Sequence, residues 1–326
     1  MSNSLLSIII CSINDQEETW ATIKSIRETA GDEPEIILVD DCSGSRLKGD
    51  WRFENIPNLK LVSNKWRCGC GPSRHIGALN ANFDWLLITD SHMRFPAGWY
   101  EAWKAAPWKG SPKTVFCATC LQLNRKHLDV NHPMGEYNGA TFNFHGPDRQ
   151  FPNLIQTLEC VWLNRDEQPK EDCSEIPAIM GAGYFVNRSW FLHLDATRFL
   201  RTWGGDEIQL SMKSWLAGGS VRLLRSVRIG HRFPEKQEHK WFNLPLGHVQ
   251  FNKVMAAHSL FPADVASRLV DWVLTPQDKN QVRDIEAAKL LVRSDWHIIA
   301  QEMARNKLIF QREPSWICDK FGLILP

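Results

Sequence analysis

The sequence predicts an α/β fold: a sheet flanked by helices, followed by a helical C-terminal extension. Three observations carry this. β-Branched runs alternate with helix-patterned segments from residue 5 to residue 92, strand and helix patterns return between 176 and 229, and from 249 onward the pattern is mainly helical.

Leu5 to Ile13, LLSIIICSI, is the near-continuous apolar run expected of a parallel strand buried on both faces. Asp15 to Ala30 places Trp20, Ile23 and Ile26 on one helical stripe and is closed by Gly31. Glu35 to Val39 is a second buried strand running into Asp40 and Asp41. Strand, helix and strand at this spacing form a right-handed βαβ unit, whose ligands sit at the carboxyl ends of the strands. Asn58 to Ser63 is a third strand. It leads through the turn-rich CGCGP of 68–72 into a helix carrying Arg74, placed in the first helical turn where an anion would be drawn. A surface salt bridge is the plainer role for Arg74.

The fourth strand, Trp85 to Thr89, ends in Asp90-Ser91-His92. Side chains two apart in an extended chain point the same way, so Asp90 and His92 are candidate metal ligands; an Asp after a strand also serves as a turn cap. Thr114 to Leu121 reads as another strand, and 124–175 as hairpins and loops over one face of the site. Ile176 to Val186 contains Gly181, Ala182 and Gly183, small residues that admit a sugar or serve close packing. A helix around Trp190 to Leu194 follows. Asp206 and Glu207 open an amphipathic helix, where the dipole stabilises carboxylates and capping alone would explain them. Ser220 to Ile229 alternates as a half-exposed strand with arginines at 222, 225 and 228, ending in Gly230-His231-Arg232-Phe233. The following loop to Gly247, with Trp241 and Phe242, is long enough for a functional lid.

Composition sets the frame. The chain has 326 residues, 43% apolar and 23% charged, with a formal net charge of +1, so global charge implies neither a nucleic-acid nor a membrane partner. No basic residue precedes the first apolar run and no stretch has the length of a membrane span, so a soluble cytoplasmic protein is expected. Nine cysteines fit that compartment as reduced thiols; Cys117-x-x-Cys120 and Cys68-x-Cys70 lack the paired spacing of a structural zinc site.

In order and spacing, SIIICSIN, ILVDDCS, CGCGPSRHIGAL, LLITDSHM, IMGAGYFVNRSWF, WGGDEIQLSMKSWLAGG and IGHRF resemble the GT-A glycosyltransferases. They are most similar to the polypeptide N-acetylgalactosaminyltransferase catalytic domain and its bacterial and viral relatives, over about residues 5 to 235. The resemblance implies a GT-A (Rossmann-like) mixed sheet: a catalytic domain at 1–247, with a nucleotide-binding half at 1–123, an acceptor and catalytic half at 124–247 and a lid at 232–247, then a helical extension at 248–326. It implies Asp90, His92 and His231 as ligands of Mn²⁺, with Mg²⁺ the alternative ion; a carboxylate, two imidazoles and two diphosphate oxygens suit manganese. Asp40 or Asp41 would hold the uridine, Arg74 the nucleotide, and Ser91, Arg232 and Gly181 to Gly183 the rest of a UDP-sugar donor. Trp203 and Asp206 would lie under the transferring sugar.

The chain departs from that family at Asp206-Glu207, where the family has Glu-Asn. Inverting family-2 enzymes place a general-base Asp at the second position of a comparable acidic pair, where Glu207 would activate an acceptor hydroxyl and give inversion, while the overall resemblance implies retention; the sequence leaves the stereochemistry open. After 250 the chain is too short and too poor in repeats for the lectin domain of the animal enzymes, so the acceptor is not inherited from them: peptide, glycan, small molecule or nucleic acid. Arginines 222, 225, 228 and 232 near Trp241 would make a surface for nucleic acid, although the charge balance does not favour it. A sugar nucleotidyltransferase would need a glycine-rich basic loop after the first strand, where this chain has the acidic Ser12-Ile-Asn-Asp-Gln-Glu-Glu. A non-catalytic nucleotide-sugar binding module would predict broken metal or acidic positions, and these are intact.

Overall fold

A computed structural model describes residues 6–44, 47, 49–124, 126, 128–147, 149, 155–233 and 244–325. The first half lays down β1 (Leu6–Ser12), α1 (Gln16–Ala30), β2 (Glu35–Asp40), β3 (Leu59–Ser63), α2 (Cys70–Asn80), β4 (Trp85–Thr89), β5 (Met93–Arg94), α3 (Trp99–Ala105) and β6 (Thr114–Gln122). The middle adds β7 (Gly135–Tyr137), the hairpin β8 (Ala140–Pro147) and β9 (Ile155–Trp162), then β10 (Gly183–Asn187), α4 (Arg188–Leu194), α5 (Asp206–Leu216) and β11 (Ser220–His231). The C-terminal part is helical: α6 (His248–Leu260), α7 (Ala263–Val273), α8 (Val282–Ser294), α9 (Trp296–Ile309) and α10 (Pro314–Phe321).

The main sheet has the order β3-β2-β1-β4-β10-β6-β11-β5, with β7 beside β6. β1 to β4 pair in parallel, whereas β10 runs antiparallel to both β4 and β6, which makes the sheet mixed. The apolar run of β1 is explained by cover on both faces. Ile9 packs into the core under α2, α4, α5 and the C-terminal helices, and Leu6, Ile8 and Ile10 pack into the core under α1 and α3.

Three details refine the sequence reading. β11 alternates only up to Leu224; an irregularity between Leu224 and Arg228 then shifts its register on β6, and Leu224 and Val227 are both fully buried. The mainly helical stretch 249–274 consists of two helices, broken before Pro262, which cannot donate to an ongoing helix. The extension does not pack as a separate unit, because Phe251, Val254, Leu269, Ile299 and Ile317 join the same core as Ile208 and Leu210 of α5. Among the described residues no helix is long and apolar enough to cross a membrane. Most of the expected lid, including Trp241 and Phe242, lies outside the described residues.

Candidate metal and nucleotide-sugar site

The carboxyl ends of β4 and β11 meet because β5 folds back to pair with β11, Met93 against His231. This brings Asp90, His92 and His231 together, with one potential ligand atom from each lying within 4.8 Å of the others. His231 Nε2 stands 3.5 Å from Asp90 Oδ2, and the two imidazole centres are 4.9 Å apart. Burial tends to raise the Asp90 carboxyl, but the hydrogen bond from His231 and the charges of Arg74 and His92 outweigh it and hold it at about 2. Burial depresses His231, which favours the neutral imidazole a metal needs; its Nδ1 is buried without a partner. Burial opposes charge on His92 too, yet the Asp15 hydrogen bond and the Asp90 charge prevail and raise it. One carboxylate and two imidazoles at this separation fit a borderline divalent ion such as Mn²⁺.

Arg74 is not in the first turn of its helix. α2 begins at Cys70, because Asp41 accepts hydrogen bonds from Cys68 N at 2.7 Å and Gly69 N at 2.8 Å and so fixes the turn before it. Arg74 is the fifth helical residue and is 4% exposed, so the surface salt bridge is also excluded. Its Nη2 donates to Asp90 Oδ1 at 2.9 Å and to Gly181 O at 3.2 Å, and its Nη1 donates to Asp206 Oδ2. One guanidinium therefore ties the carboxylate of the candidate metal triad to the start of α5.

The strip from 181 to 183 closes the same wall. Asp90 N donates to Ala182 O at 3.3 Å, Thr89 Oγ1 donates to that oxygen at 2.9 Å, and Gly183 pairs with Thr89. A Cβ on Gly181 would stand 2.6 Å from Glu207 Oε1, so this glycine makes room for the carboxylate. Burial raises the Glu207 carboxyl above its ordinary value of 4.5, against the lowering effect of Arg74. Burial also pushes Cys11 to about 12 and Cys70 to about 11, so neither nearby thiol is a nucleophile at neutral pH.

The other candidates fall around this centre. Asp40 accepts from Ser43 N at 2.9 Å, while both oxygens of Asp41 are engaged with the 64–73 segment, which leaves it a poor ligand for a uridine. Ser91 Oγ donates to Asp15 at 3.1 Å. Arg232 N donates to His92 O at 3.1 Å, and its side chain lies 3.7 Å from Glu18. Trp203 is 51% exposed and sits on a loop pinned from two sides. Gly69, at φ +99°, lets 68–70 pair with Thr202, where a Cβ would lie 2.1 Å from Thr202 Cα. From the other side Asn252 of α6 bonds the backbone of Arg201, Trp203 and Gly204.

Asn252 was not legible in the sequence, and neither was the buried pair Lys213–Glu302, 2.5 Å apart, which joins α5 to α9. The basic stripe is not a free cationic face. Arg222 pairs with Glu175, Arg228 with Glu136 and Arg232 with Glu18, while Arg225 donates to Lys170 O. Beside the triad opens a cleft of about 1030 Å³, lined by Tyr137, Trp162, Met180, Arg225 and Phe233 among others. Tyr137 and Trp162 stack at 4.7 Å, and Phe233 meets His231 edge-on at 4.2 Å.

Residues 7–167 match the model of glycosyl transferase family 2. The chain is 27% identical over 239 residues to polypeptide N-acetylgalactosaminyltransferase 5 of Mus musculus, covering 70% of this chain and 24% of that protein. It is 29% identical over 246 residues to an inactive polypeptide N-acetylgalactosaminyltransferase-like protein 5 of Macaca fascicularis, covering 72% and 52%. The chain thus spans about a quarter of the first relative and about half of the second. The crystal structure of GalNAc-T7 with UDP, GalNAc and Mn²⁺ matches with a TM-score of 0.68 at 17% identity, over 98% of this chain and 57% of that one. This likeness places the chain in the GT-A fold.

Proposed function

We propose that the chain is a metal-dependent glycosyltransferase that moves a sugar from a UDP-sugar donor to an acceptor hydroxyl. The observation that carries the reading is the joining of the Asp90-His92-His231 triad to Asp206 through one buried guanidinium, with Glu207 packed against Gly181 beside it, at the carboxyl edge of a GT-A sheet. The similarity to transferases, and a solved relative whose crystals hold UDP, GalNAc and Mn²⁺, supports UDP and manganese as partners. When bound, the divalent ion would neutralise charge developing on the leaving diphosphate.

In this reading Asp90, His92 and His231 hold the ion. Arg74 orients Asp90 and Asp206. Asp40, Ser91, Arg232 and residues 181–183 shape the donor pocket, with Asp41 ordering its wall. Trp203 and Asp206 lie at the sugar, and Glu207, raised by burial, takes the acceptor proton, which makes the reaction inverting. The cleft of Tyr137 and Trp162 receives the acceptor. We keep 1–123 as the nucleotide half, 124–247 as the acceptor half and 248–326 as a helical extension. Nine free thiols support a reducing, cytoplasmic location.

The test is thermal stabilisation by UDP, GDP, CDP and dTDP with and without Mn²⁺, followed by release of UDP from UDP-sugars. A ligand that binds only the folded chain raises its melting temperature. Stabilisation by UDP only with Mn²⁺, together with turnover of one UDP-sugar, supports the proposal. Stabilisation without turnover of any donor identifies a binding module, and no stabilisation by any nucleotide overturns the site.

A further inference from the structure

We propose a second ligand site, for a compact anion bearing two or more phosphate charges, at the end of the sheet remote from the metal triad. β6 and β11 run parallel, so Gln122 and His231 end beside the triad while Thr114 and Ser220 start at the opposite edge. β6 spans nine residues between these ends, and at a strand rise of about 3.3 Å its eight steps cover roughly 26 Å. At this far edge lies a depression of about 530 Å³, within the size range of small-ligand pockets.

Its lining is charged in a way the chain as a whole is not. Lys113, Arg222, Arg312 and Lys320 face it against the single carboxylate of Glu175, a local charge of +3 in a protein whose formal net charge is +1. Glu175 is shared, with Oε1 3.2 Å from Arg222 and Oε2 2.6 Å from Lys320. Among the described residues Arg312 has only neutral partners: Nη1 donates to Trp215 O at 3.1 Å and Gly219 O at 3.2 Å, and the guanidinium lies 4.1 Å from the ring centre of Trp316. Lys113 is exposed and, among the described residues, forms no ion pair; its ammonium lies 5.6 Å from the Trp190 ring.

These cations are held in place before any ligand arrives. Lys320 stands 5.4 Å from the Trp316 ring and 5.5 Å from that of Trp215, and a Cβ on Gly219 would lie 2.3 Å from Lys113 O, so the turns that form the walls are packed together. Pre-positioned cations with excess charge select a multivalent anion. Arg312 stacks on Trp316 and Trp215 is buried, so among the described residues the pocket offers little ring surface on which a base would stack. Recognition therefore rests on phosphate oxygens, whether of free polyphosphate or of a nucleotide.

The site is independent of the proposed transferase activity and is tested without divalent metal. The full chain is titrated with pyrophosphate, tripolyphosphate and UDP by calorimetry, as wild type, Lys113→Glu, Arg312→Gln and Asp90→Asn. Pyrophosphate should bind the wild type and Asp90→Asn alike, and at least about tenfold more weakly to Lys113→Glu, whose exposed side chain makes misfolding no concern. Equal affinity for UDP and pyrophosphate marks recognition by phosphate alone. No binding of pyrophosphate, or binding lost in Asp90→Asn and kept in Lys113→Glu, overturns the proposal.

Discussion

Asn252→Ala isolates the contribution of the C-terminal helices to the site. Asn252 has no exposed surface. Its Oδ1 accepts from Arg201 N at 2.7 Å, and its Nδ2 donates to Arg201 O and Gly204 O, both at 2.8 Å, with Trp203 O at 3.2 Å sharing a hydrogen. Alanine removes three good hydrogen bonds at about 1 kcal/mol net each, and strands backbone groups whose unmet burial costs about 1–3 kcal/mol apiece unless water reaches them. Arg201 and Gly204 are half-buried and Trp203 is exposed, so water can replace part of the lost bonding and the expected loss is about 3 kcal/mol. For a chain of this size that lowers the melting temperature by roughly 5 °C. Asn252→Asp should be worse, since it turns an acceptor toward three carbonyls. The loop carries Trp203 and the N-cap of α5, whereas the triad hangs on β4 and β11. Turnover of a UDP-sugar should therefore fall about tenfold or more while Mn²⁺-dependent UDP affinity holds. Calorimetric melting, UDP titration and donor turnover read the three quantities. An alanine variant that melts with the parent and turns over normally would refute the positioning role.

Other perturbations act on single parts. His231→Ala should weaken Mn²⁺-dependent UDP binding at least about tenfold, read by titration at fixed metal; unchanged metal dependence removes His231 from the triad. Glu207→Gln should lower turnover about 10² to 10⁴-fold with donor affinity kept. A base must be deprotonated, and burial raises this carboxyl, so the acid limb of the wild-type pH–rate profile should lie above 4.5 and vanish in the variant. Glu302→Ala leaves the Lys213 ammonium, depressed by burial, without its carboxylate inside the core, and should cost about 3–5 kcal/mol in denaturant unfolding. The double change Lys213→Met with Glu302→Leu should recover most of that loss, because it removes both charges.

The parts of the molecule that were legible in the sequence are those whose cause is local. β1, β2 and β4 declare themselves because burial on both faces demands continuous apolar runs. Asp90 and His92 stand out by their two-residue spacing, although the chain bends at Ser91 and His92 and it is the return into β5 that brings them to His231. What stayed hidden depends on long-range contact. Asn252 reaches back 51 residues to Arg201 and Lys213 forward 89 to Glu302, and neither leaves a periodic trace. The β8–β9 hairpin reads poorly because Phe142 and Phe144 alternate only until His145 and Gly146 interrupt them. The arginines of β11 looked like one basic face because a sequence shows the cations of a strand but not the carboxylates that other segments bring to them.

Arg74 best shows how placement changes a residue's meaning. A guanidinium on a surface helix would be a nucleotide clamp. Buried between Asp90 and Asp206, it instead divides the Asp90 carboxylate: Oδ1 is taken by Nη2 at 2.9 Å, which turns Oδ2 toward His231 at 3.5 Å. A carboxylate left to itself would rotate among these partners; one oxygen fixed by a planar donor leaves the other aimed at the triad. The same fork reaches Asp206, so the position of the candidate metal ligand and that of the acidic residue proposed to lie at the sugar are set by one rigid group. That coupling requires two donors at a fixed angle. It therefore depends on arginine at 74 and on the bare backbone of Gly181, which accepts from the fork and leaves space for Glu207.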